Sequence, residues 1–476
     1  MTQKQTLSIR GALLTCLCLL ALPCFSQQAV DSWVSSEDNQ YQLSRQLPFK
    51  FAPSQASSAP SIRVDAGRRY QTMLGLGSSL EATTCANISR LDPKRQDEVI
   101  ERLVHPVNGI GMNLMRICIG TSDFTGDAWY SYDDVPAGQI DVPLARFSIE
   151  KDRTYILPVL KKALQKNPNL LFFASPWSPP GWMKTSGSMI GGSLLLQYYE
   201  PSARYLVRFV QAYEAEGVPI YAITVQNEPG VDRQYEPRMA YPSSKYTGET
   251  ERDFLKVLGP AFRKAGLKTK IWSYDHNFNE KSQPGDEGID YPTKVLKDPE
   301  AAHHVSGVAF HFYVGQPSGM SVFHERFPEM PIHFSEGSVY GARGALRLIE
   351  IVRNWASSYN AWVTMIDENR GPNKGPFPPS PTILLLNGKD QSVTYRFDYY
   401  IYGQFMKFVQ RGAVRIDSGE SERTFGSVAF RNPDGKIVMI AANAGEELRE
   451  FRIVTGELAA TTSLPRRSVA TYIWQP

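Results

Sequence analysis

The sequence predicts an α/β fold, a (β/α)8 TIM barrel with an accessory antiparallel β-sandwich domain built from both chain ends. Three observations carry this reading. Eight β-like segments alternate with helix-like segments through residues 71–411. Several of the eight are near-continuous apolar runs, as parallel strands covered on both faces require. Beyond Gly412 the helical spacing stops and apolar residues alternate at period two, divided by turn signals such as Asn432-Pro433-Asp434-Gly435.

The elements follow in order. Residues 1–26 read as a signal peptide: a weakly basic start (Lys4, Arg10), then an apolar core from Ala12 to Leu22. That core is shorter than the ~20 apolar residues of a membrane-spanning helix. Cleavage is expected near Ser26, and Pro23 disfavours a lipid anchor at Cys24. A secreted or periplasmic location follows, with no stable membrane span. Residues 27–70 supply strands (YQLSRQLPFKFA and SIRVDAGRRYQ) separated by a Ser/Ala/Pro link, and residues 412–476 supply their partners. The barrel strands are expected at 72–80, 112–120, 169–177, 219–227, 269–277, 305–313, 330–336 and 360–368. Helical spacing fills the gaps. One helix is expected to open at Ser89 as its N-cap, and others stop at Gly217 and Gly266, where a left-handed cap is usual. Pro260 is expected to kink the helix that contains it. An open doubly wound sheet is the alternative, but its glycine-rich phosphate loop is missing.

Composition narrows the function. The 476 residues are 42% hydrophobic and 21% charged, ordinary for a globular chain. Lys and Arg number 51 against 48 Asp and Glu, with no basic block, so nucleic acid is not an expected partner. Of five cysteines, Cys85 and Cys118 lie beyond the leader, where two thiols read as small buried hydrophobes rather than a bridge.

In such a barrel, catalytic side chains gather at the C-terminal ends of the strands. Glu228 lies just past the fourth strand in AITVQNEPG, and Glu336 ends the seventh in MPIHFSEGS. Two carboxyls facing each other across a cleft suit glycoside hydrolysis, where one protonates the departing oxygen and the other attacks or activates water. Like charges should push their pKa values apart, keeping one protonated. Aromatic residues at strand ends (Trp129, Tyr130, Trp177, Trp182, Tyr313, Trp362) would stack on the C–H face of a sugar. His276 joins them as a candidate substrate contact. Arg116 lies mid-strand, where a buried guanidinium demands acceptors. It is expected to reach Glu336 and hold it ionised, or else to pair structurally with Glu81 or Asp123. No cofactor or metal is required, since His276, His311 and His333 lack ligand spacing.

The motifs SPWSPPGWMKT, ITVQNEP, GVAFHFY and HFSEGS, with RICIGTSDFT, WYSYDD and DENRGPNKGPF, resemble the glucosylceramidase-like enzymes of glycoside hydrolase family 30 in order and spacing. The likeness spans roughly residues 71–400, and a β domain built from both termini also fits. The resemblance implies retention by double displacement, with Glu228 as acid/base and Glu336 as nucleophile. It also implies that Asn227 bonds the sugar's 2-hydroxyl and that Trp177 and Trp362 line the −1 subsite. Glu81 stands where family members usually carry Asp to hold outer hydroxyls. Arg116 and Asp123 are read as supporting residues. The expectation is an exported, monomeric retaining β-glycosidase acting on a carbohydrate, first of all a β-1,6-glucan. Alternatives are a glucosylceramidase or β-glucosidase, a xylan- or galactan-active relative, or a non-catalytic carbohydrate-binding protein.

Overall fold

The computed structural model describes residues 1–2, 28–278, 287–377 and 382–476. The expected leader core, with Cys24 and Ser26, lies outside the described residues. Eight parallel strands make the barrel: Gly75–Gly77, Leu114–Ile119, Leu171–Pro176, Ile220–Thr224, Lys270–Asn277, Gly307–His311, Ile332–Glu336 and Ala356–Asn360. The first strand pairs with the eighth, and a parallel bridge between Ser79 and Arg116 closes the other seam. Leu114, Phe173, Ala222, Trp272 and Ala309, one from each of strands two to six, pack together as a separate cluster. The opposite faces of the strands join the helices in the main core. Burial on both faces explains the near-continuous apolar runs.

Two expectations need correction. The eighth strand is Ala356–Asn360, not 360–368, and Trp362 lies just past it rather than within it. This strand reads ASSYN and is wholly buried, yet only Ala356 and Tyr359 of its five residues join the hydrophobic core. Its other side chains bond other barrel strands instead: Ser357 donates to the Ile332 carbonyl of strand seven at 2.6 Å and Asn360 to the Leu114 carbonyl of strand two at 2.7 Å. Hydrophobic patterning cannot register such a strand. Met365–Asp367 belongs to a separate three-stranded sheet with Leu384–Asn387 and Ser392–Tyr395. Ser89 does not open a helix but ends one, Ala82–Ser89. The next helix, Pro93–Val104, is capped by Asp92, whose side chain accepts from the Arg95 amide, with proline in the first turn. Gly217 and Gly266 do adopt positive φ just past helix ends, and the helix Gly248–Lys264 runs on through Pro260.

The accessory domain forms one 11-stranded sheet system from both ends of the chain. Ala29–Ser36 pairs antiparallel with the C-terminal strand Ser468–Trp474. Ser61–Thr72 pairs antiparallel with Val414–Asp417 and, as the one parallel junction in the sheet, with Arg449–Thr455. Period two sorts its side chains. Val438, Ile440 and Ala442 join the barrel's core, whereas Ile437, Met439 and Ala441 face the sandwich's own. Val428, Phe430 and Val469 of the two flanking strands join the same barrel core, so the sandwich is fastened to the barrel by one face of its sheet. Cys85 and Cys118 are both free thiols. No helix among the described residues is long and apolar enough to cross a membrane.

Candidate active site

Side chains from five strands, the second to fourth, sixth and seventh, converge on one carboxylate of the fifth, Asp275. It accepts from Arg116 Nη2 (2.8 Å), Ser175 Oγ (2.9 Å), Thr224 Oγ1 (2.8 Å) and Ser335 Oγ (2.5 Å), and pairs with His311 Nε2 at 3.0 Å. Strand five is bent to present it. Tyr274 and Asp275 carry φ of 77° and 62°, and the register against strand six shifts between Tyr274 and His276. A bulge of this kind re-aims side chains at a cost in backbone strain.

The wholly buried Arg116 is the second organiser. One nitrogen bonds Glu336 Oε2; another bonds both Asp275 and Asn227 Oδ1, the latter at 2.8 Å. The expected contact with Glu336 is present, and the second carboxylate is Asp275 rather than Glu81 or Asp123. Two carboxylates repay the desolvation that a lone buried guanidinium would suffer. Burial works against its charge, but Asp275 and Glu336 more than restore it, holding the guanidinium above its ordinary pKa.

Glu228 and Glu336 meet at one imidazole. Their Oε1 atoms lie 3.3 and 3.9 Å from His311 Nδ1. Glu228 has φ of 48°, a left-handed turn fixed by its amide donating to the Asp275 carbonyl at 3.0 Å. Tyr313 donates to Glu336 Oε1 at 2.7 Å. Burial raises the Glu228 carboxyl, but the His311 hydrogen bond and the charges of His276, His311 and Arg116 outweigh it and hold Glu228 below its usual value. The raised carboxyl in the cleft is Asp123, pushed well up by burial and by the charges of Glu336 and Glu228.

His311 is itself lifted to about 9: burial opposes its charge, but Glu336, Asp275 and Glu228 overcome it. A raised histidine contributes stability that is complete below its ordinary value of 6.5 and is lost as pH climbs through about 9. The melting temperature should therefore fall across that interval, and the fall should be shallower in His311→Asn, as measured by calorimetry.

These groups open into a cleft of about 1000 Å³ lined by Asp123, Phe124, Glu228, His276, Tyr313, Glu336 and Trp362, among others. Beside it Trp177 and Trp362 stack with centroids 5.0 Å apart and planes 23° from parallel. The Arg116 guanidinium sits 4.9 and 5.3 Å from their rings. Of the residues singled out from sequence, Glu228, Glu336, Arg116, Asn227, Trp177, Trp362, Tyr313, His276 and Asp123 come together here. Glu81 does not line the cleft. Its oxygens accept from Ser79 Oγ (2.6 Å) and the Thr84 amide (2.8 Å), so it serves as N-cap of the helix Ala82–Ser89. Tyr130 and Trp182 belong to the core, with Tyr130 bonded to Asp152 and Trp182 to Asp133. His333 is also a core residue, stacked on Trp272.

Sequence reasoning missed Asp275 and the part played by His311. A signal existed: WSYDHN places an acid inside a strand of otherwise buried residues, and a buried Arg116 needed more than one acceptor.

Residues 73–409 match the model of the glycosyl hydrolase family 30 TIM-barrel domain, and residues 412–472 that of the family 30 beta sandwich domain. The chain is similar to an endo-1,6-beta-D-glucanase of Neurospora crassa, 31% identical over 91% of this chain and 92% of the relative. It is also similar to the lysosomal acid glucosylceramidase of Mus musculus, 29% identical over 86% of this chain and 82% of that one. A solved structure titled as an endo-beta1,6-glucanase superposes with a TM-score of 0.83 at 29% identity, over 94% of this chain and 99% of that one.

Proposed function

The chain belongs to glycosyl hydrolase family 30, and from that premise we propose that it is an exported retaining β-glycosidase whose substrate is a β-1,6-linked glucan. The observation that carries the reading is the meeting of Glu228 and Glu336, from past the fourth strand and the end of the seventh, at one histidine beside a tryptophan-walled cleft. The linkage is supported by the relatives named endo-1,6-β-glucanases, in Neurospora crassa and in the solved structure. Export is supported by the basic-then-apolar start of the sequence.

In the first step Glu336 attacks the anomeric carbon, forming a glycosyl ester as the glycosidic C–O bond breaks. Arg116 and Tyr313 fix the carboxylate's orientation from its two oxygens. The leaving oxygen takes its proton from Glu228. The Glu228–His311 pair shares that proton across 3.3 Å, and a bound sugar that displaces water makes the carboxylate form of Glu228 costlier. In the second step Glu228 takes a proton from water, the hydroxide attacks the same carbon, and Glu336 departs as carboxylate. Configuration is retained after two inversions. Asp123 binds a sugar hydroxyl, and Asn227 holds the 2-hydroxyl while Arg116 orients its amide.

Glu228→Gln tests the acid role. Hydrolysis of a substrate with a poorly acidic leaving group should slow by about 10²–10⁴-fold. A dinitrophenyl glycoside, which leaves without protonation, should form the glycosyl-enzyme at nearly the wild-type rate. Equal losses for both leaving groups in burst-phase kinetics would remove Glu228 from that role. The linkage is tested by mass analysis of products from β-1,6-, β-1,3- and β-1,4-glucans, xylan and glucosylceramide, where cleavage of the first alone is expected.

A further inference from the structure

Glu228, His276 and His311 place three metal-ligating groups around one point. The Glu228 Oε1 atom lies 3.3 Å from His311 Nδ1 and 3.8 Å from His276 Nδ1. One ligand atom from each residue lies within 4.8 Å of those from the other two. A tetrahedral ion bound at about 2.0–2.1 Å sets its donors roughly 3.3 Å apart, so two of the three separations are already near what is needed.

The surroundings are those of a metal-binding imidazole. Asp275 Oδ1 engages His311 Nε2 at 3.0 Å, an outer-shell carboxylate that fixes the ring and turns Nδ1 toward Glu228. Glu228 and His276 both line the open cleft, so an ion can enter from solvent and keep a water in its fourth position. Glu336 and Asp275 add negative charge close by, offset by Arg116 and by His311, whose Nδ1 proton leaves to solvent as the ion takes its place. Two imidazoles and one carboxylate suit a borderline ion; calcium and magnesium prefer six or more oxygens.

We propose that this constellation binds a divalent transition ion of the zinc or copper class, and that the ion blocks hydrolysis by occupying Glu228. The site is thus inhibitory, distinct from any resident cofactor. Binding stands on the geometry alone, whereas inhibition rests on Glu228 acting as acid/base.

Zinc chloride titrated calorimetrically into the EDTA-dialysed protein should show one equivalent bound, and magnesium chloride none. Hydrolysis of an aryl β-glucoside should cease as the site fills and return on adding EDTA. His276→Ala should weaken zinc binding by at least about tenfold, the least that even a supporting partner is worth at a metal site. His276→Asn, close in shape, repeats the test should the alanine variant melt early. His303→Ala, on the exposed surface, should leave the isotherm unchanged. No heat up to millimolar zinc, or binding indifferent to both His276 variants, overturns the proposal. Binding with full residual turnover overturns the inhibitory half and counts against Glu228 as acid/base, while the isotherm still decides the site.

Discussion

Glu336→Gln should lower kcat on an aryl β-glucoside by about 10⁴-fold or more, the scale at which loss of a nucleophile is felt. An amide cannot form the glycosyl ester, whatever the state of the rest of the site. The exchange keeps the carbonyl oxygen as acceptor for Arg116, and the Tyr313 hydroxyl can turn to accept from the amide NH2, so circular dichroism should report an intact fold. The companion variant Glu336→Ala distinguishes a nucleophile from a mere electrostatic neighbour. It leaves a space beneath the anomeric carbon that a small anion such as azide can enter. With an activated substrate, azide should restore turnover and yield the α-glycosyl azide, the product of a single inversion. A β-configured azide product, or a Glu336→Gln rate within tenfold of wild type, would sink the double-displacement assignment.

Arg116→Ala should be the most destabilising single change in the barrel, by about 3–5 kcal/mol, because it strands buried carboxylates without their counter-charge. Asp275 feels this most. Burial raises its carboxyl, but Arg116, His311 and Ser335 overcome that and hold it well below its ordinary value of 3.8. A depressed carboxyl contributes stability that is present above its ordinary value and lost as pH falls below it. The deficit of Arg116→Ala should accordingly be largest at neutral pH and shrink in acid, as read from urea midpoints at several pH values. Arg116→Lys keeps the charge but cannot fork to Glu336, Asp275 and Asn227 at once, so it should lie between the two. The alkaline limb of kcat/KM should move to higher pH in Arg116→Ala, since the same cation favours the ionised form of Glu228, the group that must carry the proton in the first step. A pH-independent deficit would mean that Arg116 acts through packing against Trp177 and Trp362 rather than through charge.

Much of this molecule was readable from its residues. The alternation of apolar runs with helical spacing located seven barrel strands to within a few residues, because burial on both faces leaves a compositional trace. The texture change at Gly412 did the same for the sandwich. Glu228 and Glu336 were visible because strand ends open at the mouth of a barrel, where a charged residue stands out against the run before it. Arg116 announced a need for carboxylates but could not say which. Asp275 and Glu336 answer it from strands five and seven, and nothing in their spacing links them.

Only tertiary structure decided the rest. The eighth strand is held by serine and asparagine hydrogen bonds, which leave no hydrophobic period. Glu81, expected to hold a sugar hydroxyl, was captured instead by a helix terminus. His276 and His311, scattered in sequence, became neighbours of Glu228 through a bulge in strand five. Hydrophobic periodicity records how much of a residue is buried, and that is a local property. The partner of a buried polar atom is set by which strands lie side by side, so it is written in the closed barrel and not in the run of residues.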